Sequence, residues 1–154
     1  MAELWFYHLE KSPLERVLPG LLDKTLARGW RALVQARSAE RVEALDTQLW
    51  TFSDDSFLPH GTLNDTYPER QPVLITTSGD NVNDADVLIL VEGAHEAPLA
   101  PARLASFERC IIVFDGKDDG ALQAARAQWQ ASKDAGVDVS YWQEDASGRW
   151  VKKA

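Results

Sequence analysis

Residues 110–114 read Cys-Ile-Ile-Val-Phe, a short apolar run that is followed by a long Ala-rich helical pattern over residues 118–135, closed by Gly136. Two similar apolar runs occupy residues 73–76 and 87–91. Continuous apolar runs of this length are typical of strands that are covered on both faces. The three runs therefore predict buried, parallel strands that are connected through helices.

The alternation of strands and helices extends outward in both directions from these runs. The other predicted strands cover residues 4–9, 30–36, 137–143 and 149–152, the last two as a terminal hairpin. The other predicted helices cover residues 14–26, 39–50 and 98–107. Ser12 is predicted to be the N-cap of the first helix, in a capping box with Glu15, and Ser38 is predicted to cap the second. We expect one α/β domain over residues 1–154, with a doubly wound, mostly parallel sheet.

The composition supports a self-sufficient core. Of the 154 residues, 45% are hydrophobic and six are Trp, which is enough to fold without metal or disulfide support. The single cysteine, Cys110, excludes an internal disulfide and a cysteine-based zinc site. Neither a secretion signal nor an apolar run of about 20 residues is visible, so we expect a cytoplasmic protein with no membrane contact.

The charge of the chain is concentrated in its middle third. The 24 acidic and 16 basic residues give a net charge of −8, and residues 51–100 hold nine acidic side chains against Arg70 alone. A protein that binds a phosphate backbone with its own surface is expected to be basic. Direct nucleic-acid binding is therefore not expected, and a cationic site must lie in the outer thirds.

No motif for nucleotide binding or nucleophilic catalysis is present. The nine glycines form neither GxGxxG nor GxxxxGK[ST], and GxSxG is also missing. We therefore predict no cofactor, no metal ion and no catalytic residue. One alternative stays open: a small hydrolase or transferase centred on His60, with Asp54 or Asp55 nearby in sequence.

Two groups of residues point to binding instead. Arg126, Trp129, Gln130 and Lys133 have the spacing of one helical stripe, on which a ring between two cations can hold an apolar side chain beside a carboxylate. A core Trp with two solvated cations fits this pattern as well. The second group is the aromatic stretch that begins at Trp50 and lies in a long loop over residues 51–71, which either folds inward or forms an interface.

Short motifs along nearly the whole chain form a recognisable set. They are FYHL at residues 6–9, LWTF at 49–52, SFLPHG at 56–61, QPVL at 71–74, FDG at 114–116, and Ala125-Arg126 with Trp129 and Lys133. Together they resemble the chi subunit family of bacterial DNA polymerase III holoenzyme. SFLPHG with the upstream Leu49-Trp50 is the most specific part.

The resemblance implies a Rossmann-like fold without a nucleotide-binding loop. It also implies a non-catalytic accessory subunit of a clamp loader, within a DNA-directed DNA polymerase (nucleotidyltransferase) complex. Proteins of this kind connect the clamp loader, through the psi subunit, to the acidic C-terminal tail of single-stranded DNA-binding protein (SSB), which ends in Pro-Phe. A purely structural heterodimer partner that recognises no tail remains the other alternative.

The resemblance also implies two sets of site residues. The SSB-tail pocket would comprise Arg126, Trp129 and Lys133, with Phe57 and Gln130 at its edge. The surface facing psi would comprise Trp50, Pro59 and His60. Gln130 stands where better-known members of the family carry a Lys, so the resemblance implies one cation fewer in this pocket.

Overall fold

The computed structural model describes residues 3–51, 58–77, 80–94 and 101–154. The strands are β1 (Glu3–Leu9), β2 (Ala32–Gln35), β3 (Gly61–Thr62), β4 (Val73–Thr76), β5 (Val87–Val91), β6 (Arg109–Asp115), β7 (Asp138–Glu144) and β8 (Trp150–Lys152). The helices are α1 (Leu14–Ala27), α2 (Ala39–Thr51), α3 (Pro101–Leu104) and α4 (Asp119–Asp134), with a 3-10 turn at Pro68–Arg70. Within these ranges no helix has the length and apolar character needed to cross a membrane.

The strands that the structure describes form one sheet in the order β3-β4-β2-β5-β6-β1-β7-β8. Neighbouring strands are parallel throughout, except for the terminal β7–β8 hairpin. The mostly parallel sheet and the terminal hairpin are therefore confirmed. Strand β1 lies between β6 and β7, with Phe6 opposite Ile112 on one side and Tyr141 on the other.

Helices cover both faces of the sheet, which confirms the doubly wound prediction. Alternate residues of β1 point to opposite faces. Tyr7 and Leu9 pack in one core together with the buried residues of α1 and α2. Leu4 and Phe6 pack in the other core, which includes Ala125 of α4. Each large side chain buried in this way stabilises the fold by about 1.5–3 kcal/mol.

Both ends of α4 are set by local signals that the sequence carries. The Asp118 side chain accepts hydrogen bonds from the amides of Gly120 (3.0 Å) and Ala121 (3.2 Å), which have no partner within the helix. Beyond the last turn, Gly136 adopts a φ of +81°, a conformation that a glycine reaches without strain. The helical stripe that carries Arg126 and Trp129 is thus held at both ends.

The predicted caps of the first two helices had different outcomes. The Ser38 hydroxyl oxygen accepts a hydrogen bond from the Arg41 amide at 3.2 Å, as predicted. The prediction for Ser12 was wrong, because the N-cap of α1 is Pro13 and no side chain caps it. The Ser12 hydroxyl instead donates to the Glu144 carboxylate at 2.7 Å, which is the stronger interaction because the acceptor is charged.

Two other predictions differ from the structure in extent. The loop expected over residues 51–71 contains β3 and the 3-10 turn, which are too short to produce a periodic sequence pattern. The helix expected over residues 98–107 ends at Leu104 as α3 and continues only as a turn over residues 105–107, so its predicted end was wrong; residues 98–100 lie outside the described ranges.

His8 and Gly116 meet at the carboxyl ends of β1 and β6. A Cβ atom on Gly116 would lie 1.7 Å from Nε2 and 2.0 Å from Cδ2 of the His8 ring. The ring is buried, and its Nδ1 atom is 2.7 Å from the Tyr141 hydroxyl, so it has little room to move aside. Residue 116 must therefore lack a side chain.

We expect Gly116→Ala to lower the free energy of unfolding by roughly 1–3 kcal/mol, because the added methyl group displaces the His8 ring. Thermal or urea unfolding measures the change. Gly20→Ala is the matched control, since a Cβ at Gly20 in α1 meets no atom within 4 Å and alanine is the better helix former. Equal stability of Gly116→Ala and the wild type would contradict the packing described.

Glu144 anchors the terminal hairpin to the turn that follows β1. Its side chain is only 3% exposed. Burial by itself would raise the pKa of this carboxyl, but hydrogen bonds from Ser12, Lys11 and Glu10 outweigh burial and hold the pKa below its ordinary value. The charged form is therefore favoured in the folded protein.

Glu144→Gln is expected to lower the melting temperature at neutral pH, because the amide oxygen accepts the three backbone hydrogen bonds without the charge and the amide NH2 group cannot accept from the Ser12 hydroxyl. The folded pKa lies below the unfolded value of about 4.3, so the carboxylate contributes its full stabilisation above that pH. This contribution is lost as the pH falls through the folded pKa. The difference in melting temperature between wild type and variant should therefore shrink in acid, and a difference independent of pH would contradict this account.

Candidate functional site

The α4 face contains four of the residues singled out from the sequence. Arg126, Gln130 and Lys133 are exposed, whereas Trp129 is half-buried. All four lie within α4, so the helical stripe expected from their spacing exists. The face presents an aromatic ring with a cation one turn before it and another one turn after it.

Trp129 belongs to both the core and the surface. Its ring meets those of Phe6 and Tyr141 edge-on, with both pairs of ring centres 5.7 Å apart. Edge-to-face contacts of this kind favour one ring orientation. Trp129 is therefore part of the core, and the rest of its side chain stays accessible.

Tyr141 connects this face to the interior. Burial raises the pKa of Tyr141 above its ordinary value, and the nearby positive charge of Arg126 partly opposes that shift. The Tyr141 hydroxyl is 2.7 Å from Nδ1 of His8, while Nε2 of His8 faces the Glu10 carboxylate. The Tyr141 hydroxyl and Nδ1 form a hydrogen bond, whereas the contact of Nε2 with Glu10 lacks hydrogen-bond geometry.

The far end of the face carries both signs of charge. The Gln130 side-chain amide donates to the Asp134 carboxylate at 2.9 Å, one turn along the helix and next to Lys133. Of the two cations on this face, Arg126 is the one whose charge acts on Tyr141. Phe57, expected at the edge of this pocket, lies outside the described residues.

A second candidate surface lies at the end of α2. Trp50 is 52% exposed, and its ring centre is 4.5 Å from that of His60. Pro59, between Leu58 and His60, is half-buried. An exposed Trp that rests on a buried ring is held in place at little entropic cost, which suits a contact with another protein.

His60 itself is a structural residue in this arrangement. It is only 5% exposed. Its Nδ1 atom is 2.7 Å from the Leu58 carbonyl oxygen, and its Nε2 atom is 3.1 Å from both the carbonyl and a carboxylate oxygen of Asp46. Both ring nitrogens thus face oxygen acceptors within the protein, an arrangement that favours fixing the loop to α2 over proton transfer to a substrate. Asp54 and Asp55, the partners considered for catalysis, lie outside the described residues.

Other chemistry finds little support in the described part of the chain. It contains no group of three or more His, Cys, Asp and Glu side chains placed to hold a metal ion. Burial raises the pKa of Cys110 to about 12, so its thiol stays protonated and unreactive at neutral pH.

Sequence reasoning missed the supporting residues of both surfaces. Phe6 and His8 occur in the FYHL motif, but nothing in that motif indicates that they contact Tyr141 or Trp129. Asp46, which pairs with His60, lies 14 positions away from it on a different element. Such contacts have no local signal, because they depend on how the elements pack.

Comparison with known proteins agrees with the resemblance noted in the sequence. The family model described as DNA polymerase III chi subunit, HolC, matches residues 1–140. A protein of Rickettsia prowazekii (strain Madrid E), named "Probable DNA polymerase III subunit chi", is 27% identical over 117 residues, which cover 75% of this chain and 71% of that protein. The chain therefore belongs to the DNA polymerase III chi subunit family and is a subunit of a replicative DNA polymerase complex.

Proposed function

We propose that this protein is a non-catalytic accessory subunit of the DNA polymerase III clamp loader. In this role it connects the clamp loader, through psi, to the acidic C-terminal tail of SSB. The observation that carries the proposal is the α4 face, where the half-buried Trp129 ring lies between Arg126 and Lys133 and rests on Phe6 and Tyr141.

The chemistry of this face suits an acidic peptide that ends in Pro-Phe. The terminal Phe ring packs against Trp129, and the terminal carboxylate receives the planar fork of Arg126. Acidic residues upstream are attracted by Lys133. Since exposed charge pairs contribute only about 0.2–1 kcal/mol each, the ring contact supplies much of the affinity, and salt weakens the remainder.

The surface around Trp50 and Pro59 is proposed to bind psi, with the buried His60 ring supporting the Trp50 ring. Its position supports a connecting role. Helix α2 packs beside β3 and β4 at one end of the sheet, whereas α4 packs on the opposite face beside β6 and β7. Two partners bound at these places do not compete for the same surface.

Arg126→Ala is expected to weaken binding of a fluorescent acidic peptide ending in Ile-Pro-Phe by about tenfold, because it removes the fork that holds the terminal carboxylate. Fluorescence anisotropy at low salt measures the affinity. The same peptide without its last Phe should bind neither protein. Lys24→Ala removes one charge from α1 on the opposite face and serves as the control. An unchanged affinity in Arg126→Ala would exclude this pocket.

Trp50→Ala is expected to weaken the complex with a psi subunit by about thirtyfold or more, as loss of an interface Trp costs about 2 kcal/mol. Calorimetric titration with purified psi measures the change. Tyr67→Ala is the matched control, since Tyr67 is 53% exposed and Trp50 is 52% exposed. Binding of the SSB-tail peptide should be unaffected in both variants. Equal losses of psi affinity in the two variants would contradict the assignment of Trp50.

A further inference from the structure

The turn between β1 and α1 surrounds a carboxylate. The backbone amides of Glu10, Lys11 and Ser12 point at one oxygen, Oε1 of Glu144, at 3.2, 3.1 and 3.0 Å. The Ser12 hydroxyl donates to the other oxygen, Oε2, at 2.7 Å. Four donors from three consecutive residues thus bind a single anionic group.

Three successive amides that converge on one point form an anion-binding concavity. This one follows the first strand of a doubly wound sheet and precedes a helix, the place where such folds hold the phosphate groups of nucleotides. The occupant is a carboxylate of the same chain, contributed from the end of β7 and only 3% exposed.

Space and positive charge lie next to this concavity. A cavity of about 370 Å³ is lined by Lys11, Ser12, Arg16, Ser147 and Gly148. A larger cavity of about 880 Å³, with four acidic and three basic side chains in its lining, lies along the carboxyl ends of β1, β5 and β6, and Lys11 and Ser12 line it too. A small anion in solution can therefore approach the turn from outside the core once Glu144 is removed.

We propose that the β1–α1 turn is an oxyanion site whose built-in ligand is the Glu144 carboxylate, and that the site accepts a free phosphate or carboxylate ion when this side chain is removed. In the wild type, Glu144 takes the place of the phosphate group at this turn. The chain thus keeps the anion-binding turn of a nucleotide-binding fold while denying it to nucleotides. The proposal is independent of the SSB and psi surfaces.

The test uses Glu144→Ala in the full chain, with inorganic phosphate as the probe and chloride at equal ionic strength as the reference. Phosphate should raise the melting temperature of this variant by about 2–4 °C more than that of the wild type. In NMR spectra, the amide signals of Glu10, Lys11 and Ser12 should shift with phosphate in the variant only. Acetate, a free carboxylate, should act in the same way.

Two further variants make the outcome unambiguous. Asp145→Ala removes the adjacent carboxylate, which accepts from the Ser147 and Arg149 amides inside the hairpin and not from the β1–α1 turn, so phosphate should not stabilise it selectively. In Glu144→Gln a neutral amide oxygen still fills the turn, so phosphate should raise the melting temperature of this variant less than that of Glu144→Ala. The proposal is overturned if phosphate raises the melting temperature of Glu144→Ala no more than that of the wild type. It is also overturned if phosphate raises the melting temperature of Asp145→Ala by the same amount as that of Glu144→Ala.

Discussion

The pairing of β1 between β6 and β7 is the constraint on which the other features depend. Side chains of β1 alternate between the two cores, so Phe6 and His8 lie under the α4 face while Leu9 packs on the side of α1. The turn after β1 receives Glu144 from the neighbouring β7. A shift of the β1 register by one residue would exchange the two faces and remove these contacts together, because side chains alternate with a period of two.

Helices on both faces of a parallel sheet also explain how one small chain offers two separate surfaces. Strands β2, β4 and β5 are buried along their whole length, and α2 and α4 pack against opposite faces of the sheet. The α4 cations belong to a chain of net charge −8, so their attraction for an acidic partner is local and is reduced by salt. This arrangement suits reversible contacts between proteins better than binding along a nucleic-acid backbone.

Sequence-based predictions were accurate where the residues that determine a feature lie close together in the chain, and wrong where a distant residue determines it. The span of α4 was predicted to within one residue at each end, since its period, the Asp118 cap and Gly136 are all local. The Ser12 cap was wrong because a carboxylate 132 positions away competes for the hydroxyl. Strand β3 was missed because its two residues carry no periodic pattern.

The α/β class, the terminal hairpin, the α4 stripe and the resemblance to the chi family could all be predicted from the sequence. The first three features depend on residues that are close together in the chain; in the α4 stripe, for example, helical geometry places residues three to seven positions apart on one face. The resemblance depends on short motifs that can each be matched separately. The contacts of Trp129 with Phe6 and Tyr141, and the position of Glu144 in the turn after β1, could be seen only in the folded chain. The contacts of Phe6 with Trp129 and of Ser12 with Glu144 join residues that are more than a hundred positions apart. The order of strands in the sheet brings these residues together, and no local pattern in the sequence encodes that order.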